Sequence, residues 1–113
     1  MTVSTKALRG LFLILALPLC AHAALSPAGE VAVRGAATAL VIDEKCTGPK
    51  SPQLAQADNR KAVAILVTGG YDAGDVAQAF AVEAMRAQFI VPARLSSRDC
   101  KDAAGVRAKI RSH

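Results

Sequence analysis

The chain has 113 residues, 52% of them hydrophobic but only 4% aromatic, with 14 Lys+Arg against 9 Asp+Glu. That length holds one small domain, because two would each have too thin a core. Near-average apolar content and modest net charge exclude disorder over most of the chain.

The first 23 residues read as a secretory leader. Met1–Gly10 carries Lys6 and Arg9 and no acid, and an apolar run follows from Leu11 to Leu19. Ala21-His22-Ala23 then fits a small-x-small cleavage pattern, which places the cut between Ala23 and Ala24. About nine or ten apolar residues fall well short of the roughly 20 that span a bilayer. Cys20 raises the alternative of lipidation, but Leu19 stands where lipoprotein signals carry a small residue. The expected organisation is therefore a signal peptide at 1–23 and a single domain at 24–113, periplasmic or secreted.

Loss of the leader removes Lys6, Arg9, Cys20 and His22, leaving 12 Lys+Arg against 9 acids, one histidine and two cysteines. Paired cysteines persist as disulfides in an oxidising compartment. A bridge between Cys46 and Cys100 encloses about 55 residues and would stabilise by roughly 4 kcal/mol on the chain-entropy account. The domain needs such help. Twenty of its residues are alanine, and Tyr71, Phe80 and Phe89 are its only aromatics, so its side chains bury little area each.

Four helices follow in chain order. Ser26-Pro27 opens the first, with Ser as cap and Pro at the first helical position. Val33, Ala37, Leu40, Val41 and Glu44 then share one face up to Cys46, and Thr47-Gly48-Pro49 ends it. Ser51-Pro52 opens the second, with Leu54, Asp58, Ala62, Ile65 and Leu66 at helical spacing and Gly69-Gly70 as the stop. Asp72 begins the third, along which Val76, Ala79, Phe80, Glu83, Ala84 and Ala87 line one side, and Phe89-Ile90 closes it before Pro92. Ser97 caps the last, in which Cys100, Ala103, Val106 and Ile110 recur. Loops this short suit a compact all-α bundle of about four helices tied by one disulfide.

One segment admits another reading. Ala62 to Gly70, with Thr68-Gly69-Gly70 after an aliphatic run and an Ala-rich helix beyond, resembles the opening of the short-chain dehydrogenases. The resemblance implies a small α/β fold with a strand at 63–67, a dinucleotide pyrophosphate at the glycine turn and Arg94 near a ribose phosphate. It covers about 30 residues. The family's later glycines fall on Ala73 and Asp75, or on Gly74 and Val76, and Tyr71 is followed four residues on by Asp75 rather than Lys. The helix stop is the preferred reading, and no cofactor is expected.

Catalytic groups are scarce. The one histidine after the leader is His113, the last residue, where frayed backbone cannot hold a base in place. Asp58, Asp72, Asp75, Glu83, Asp99 and Asp102 are spaced as caps and solvated helix faces, and no metal-ligand series occurs. Charge is uneven: residues 86–113 hold seven basic side chains against Asp99 and Asp102. Arg98, Lys101, Arg107, Lys109 and Arg111 are candidate contacts to an anionic membrane or cell-wall surface. Nucleic acid is not expected, since there is no aromatic platform for bases. The sequence thus points to a small exported, non-enzymatic helical protein that binds a macromolecular partner in the cell envelope, with anionic-surface attachment through the basic C-terminal helix as the alternative.

Overall fold

The structure, a computed structural model, describes residues 25–113. The leader, its cleavage site at Ala23–Ala24 and Cys20 lie outside the described residues. Four helices make up the fold: α1 (Pro27–Thr47), α2 (Pro52–Thr68), α3 (Ala73–Ile90) and α4 (Ser97–Arg111). There is no strand among the described residues.

Each helix starts by the same device. Ser26 Oγ accepts from Gly29 N at 3.0 Å, Ser51 Oγ from Leu54 N at 3.2 Å, Asp72 Oδ2 from Asp75 N at 3.1 Å and Ser96 Oγ from Asp99 N at 3.1 Å. Each cap satisfies a backbone donor that the first turn leaves unpaired and is worth about 1 kcal/mol. The last cap is Ser96, not Ser97; Ser97 is the first helical residue. Two turns between helices rest on glycines at positive φ, Gly48 at 99° and Gly70 at 102°, a backbone conformation other residues adopt only under strain.

The run at 63–67 is helical, inside α2, so the α/β alternative and its dinucleotide turn do not hold. A strand there would need a partner to take up its backbone donors, whereas the helix satisfies them internally.

α1 lies between α3 and α4 and packs on both; α2 closes the far side against the same two helices, and α3 and α4 do not meet. The main core joins Val33, Ala37 and Leu40 of α1 to Ala62, Val76, Phe80 and Ile110, with Leu25 covering one end. A smaller cluster of Val41, Ala87 and Val91 continues it toward the end of α3. Among the described residues Phe80 is the only buried aromatic side chain, and alanines fill much of the remainder. Cys46 and Cys100 are bonded, with S–S 2.09 Å and Cα–Cα 5.8 Å, and so tie the last turn of α1 to the first turn of α4.

Candidate functional site

Two carboxylates are buried inside this small core: Asp43 is 0% and Asp58 2% exposed. Asp43 sits near the end of α1, on the flank that α4 covers. Because α1 is packed on two sides, that flank is buried as well as the apolar stripe. Arg107 Nη1 of α4 donates to Asp43 Oδ1 at 2.6 Å. Asp58, in the second turn of α2, accepts two parallel hydrogen bonds from Arg111, Nε to Oδ1 and Nη2 to Oδ2, both at 3.0 Å.

Lys50, in the loop between α1 and α2, joins the two halves. Its Nζ donates to Asp58 Oδ2 at 3.2 Å and stands 3.2 Å from Asp43 Oδ2. The second contact is a charge contact out of line for a hydrogen bond, since Asp43 Oδ2 accepts none within the chain. The Lys50 side chain is itself almost enclosed. Three cations thus surround two anions, and the network connects α1, the following loop, α2 and α4. Lys61 Nζ adds a tie by donating to Arg111 O at 3.1 Å.

The hydrogen bonds from Arg111 hold the Asp58 carboxyl below its ordinary value of 3.8, against the opposing effect of burial and with further help from Lys50. The same pair raises Arg111. A carboxylate held in this way stays ionised and is a poor proton carrier near neutral pH. The arrangement can orient helices. Among the described residues no group of three His, Cys, Asp or Glu side chains comes close enough to hold a metal ion.

This geometry corrects the expectation for Asp58, which is buried on the inner stripe rather than solvated. It also divides the five basic residues expected to meet an anionic surface. Arg107 and Arg111 are turned toward Asp43 and Asp58, while Arg98, Lys101 and Lys109 are exposed. Asp43 and Lys50 were not singled out in the sequence. Asp58 carried a signal, because it falls four residues before Ala62 on the apolar stripe of α2.

Outside the network the surface is more apolar than its charge suggests. An open groove of about 480 Å³ runs between α1 and α4, lined by Val31, Gly35, Thr38, Ile42, Ala103 and Val106 among others. Along the outer side of α3, Val82, Met85 and Phe89 stand exposed at i, i+3 and i+7, with Ile90 beside them; Phe89 is 84% exposed. Phe89-Ile90 does close the helix, but with both side chains directed outward. Lys45 of α1 fixes that end: its Nζ donates to Gln88 O at 3.1 Å and also to Val91 O, filling carbonyls the last turn leaves open.

Fold and network together define a small four-helix bundle, tied by one disulfide and locked by an internal ionic cluster. No family model matches the chain, and no curated protein or solved structure matches it either. Among the described residues no helix is long and apolar enough to cross a membrane.

Proposed function

We propose that the chain is a small exported protein that works in the cell envelope by binding a macromolecular partner, not by catalysis. The observation that carries this reading is the outer face of α3, where Val82, Met85, Phe89 and Ile90 are exposed on a helix whose end is held by Lys45. Large apolar side chains grouped on a water-facing helix are unfavourable unless something covers them, and such patches mark interaction surfaces. Export is supported by the leader-like segment at Met1–Ala23 and by the bridge between Cys46 and Cys100. A non-catalytic role is supported by the commitment of Asp43 and Asp58 to cations.

The test is photo-crosslinking in intact cells, with the reactive group placed at Phe89 or, as a control, at the exposed Ala64 of α2. Adducts from position 89 and not from position 64 are expected. Equal labelling from both positions, or none, would end the proposal.

A further inference from the structure

The end of α3 and the loop after it combine two properties, exposed apolar side chains and basic charge without acid. Of the six exposed large hydrophobics among the described residues, Met85, Phe89 and Ile90 fall within the last six residues of one helix. Residues 85–98 also contain Arg86, Arg94 and Arg98 and no acid; the first carboxylate beyond them is Asp99. Arg86 has Phe89 at i+3 and Ile90 at i+4, so its cation stands between the two apolar side chains on the same outer face.

We infer that this tip docks on an anionic phospholipid surface, an assignment that rests on the reading above of the exposed face of α3 as a binding surface and places that face on the lipid of the envelope. Charge and exposure both select that occupant. Phe89 is almost wholly uncovered, and a bilayer interface accepts a protruding apolar side chain without a matching pocket. Phe89 and Ile90 enter the boundary between headgroups and acyl chains, while Arg86, Arg94 and Arg98 stay at the level of the phosphates. A second copy of the chain fits less well. Two α3 helices paired about a two-fold axis at this stripe would bring Arg86 of one copy toward Arg86 of the other, and like charges repel. The hydrogen bonds from Lys45 to Gln88 O and Val91 O keep the tip formed in the unbound protein.

The experiment is vesicle sedimentation with residues 24–113, the form that cleavage between Ala23 and Ala24 would leave. Vesicles of phosphatidylcholine alone are compared with vesicles containing about one-third phosphatidylglycerol. Binding to the second kind only is expected, and it should weaken steeply between low and high salt as the surface charge is screened. Arg86→Gln with Arg94→Gln should lower partitioning about 25-fold, at roughly fivefold per basic side chain. Phe89→Ser with Ile90→Ser should lower it at least tenfold, while Lys101→Gln with Lys109→Gln leaves it unchanged. All these side chains are exposed, and an unchanged helical circular dichroism signal confirms the fold of each variant.

No binding to phosphatidylglycerol vesicles, equal binding to both kinds, or equal binding by the Phe89/Ile90 variant would overturn the inference. Protein adducts from position 89 together with absent vesicle binding would remove the lipid surface and leave the binding role intact. A dimer abolished by Phe89→Ser, with vesicle binding absent, would assign the tip to a second copy instead. Absence of both adducts and vesicle binding would remove both readings.

Discussion

Arg111 holds Asp58 in a two-pronged grip, Nε to Oδ1 and Nη2 to Oδ2, each at 3.0 Å, so that the last turn of α4 is bonded to the second turn of α2. Arg107 and Asp43 do the same for α4 and α1. In a core filled largely by methyl groups, many helix rotations would bury similar area. Two buried anions that must each meet a particular cation select one of them, which is the best-attested use of buried charge.

Removing either anion takes the carboxylate from its arginine, Arg107 or Arg111, and leaves the enclosed Lys50 with one anion in place of two. Asp43→Ala and Asp58→Ala should each destabilise the fold by about 3 kcal/mol, or roughly 10–20 °C in melting temperature for a domain of this size. Arg111→Met should do less, about 1–2 kcal/mol, because the guanidinium is partly in water. The double variant Asp43→Ala/Asp58→Ala should lose more than the sum of the singles, since Lys50 keeps one anion in each single and none in the double. Thermal melts of the four variants decide it. Single losses under about 0.5 kcal/mol, typical of surface sites, would show that the network does not hold the helices.

Acid should act through Asp58. Asp58 is held below 3.8 in the folded chain, chiefly by Arg111 and then Lys50, with Asp43 beyond the lysine. The unfolded chain therefore takes up the proton first. The stabilisation is full above the ordinary carboxylate value and is lost as pH falls through the lower folded value. Urea midpoints should stay nearly level from about pH 7 to 5 and drop below about pH 4. Asp58→Asn should begin lower at neutral pH and fall less on acidification. Parallel curves for the two proteins would remove Asp58 from the account.

The disulfide acts on the unfolded state more than on the folded one. A cross-link between residues 54 positions apart should contribute about 4 kcal/mol, a large part of the roughly 5–15 kcal/mol available to a domain. Cys46→Ala/Cys100→Ala should lower the urea midpoint sharply, and the reductant tris(2-carboxyethyl)phosphine should bring the native protein to a similar value. An unchanged midpoint under full reduction would mean that the core and the ionic cluster suffice.

Helix positions were readable because local signals agreed. Ser26-Pro27, Ser51-Pro52 and Asp72 start helices where the caps are found, Gly48 and Gly69-Gly70 end them, and the stripes of α3 and α4 are the faces that go inside. The bridge was expected from Cys46 and Cys100, the two cysteines left when the leader-like segment at 1–23 is set aside, and the structure forms it. The cluster was not readable. Asp43 lies at the edge of the stripe of α1, and only the placement of α4 against that edge encloses it. Glu44, on the stripe itself, stays half-exposed. Nor does helical spacing alone reveal that Arg107 and Arg111 turn inward, because a basic residue near a helix C-terminus is equally suited to solvent and dipole. Met85 was not singled out and Phe89-Ile90 was read only as the close of α3; their exposure is not legible from spacing, because it depends on no other described element covering that face.

Glycines offer a test in which sign matters as much as size. A Cβ at Gly29 would come 2.8 Å from Cε1 of Tyr71 and 3.4 Å from Ser26 Oγ, the oxygen that caps α1. Tyr71 packs against the main core from the turn before α3, so Gly29→Ala must push the ring outward or disturb the cap. Gly35 and Gly105 sit in mid-helix with nothing near the added methyl. There, alanine brings only the gain in helix propensity, about 0.5–1 kcal/mol each. Gly29→Ala should instead destabilise by about 1–2 kcal/mol, the scale of an overpacked site. Tyr71→Ala should absorb most of that loss when the two changes are combined, because the clash then has no partner. Urea titration of the three alanine variants and the double variant reads these signs directly. A stabilising Gly29→Ala, or a full loss that persists without the ring, would show that α1 and the α2–α3 turn do not depend on the close approach at Gly29.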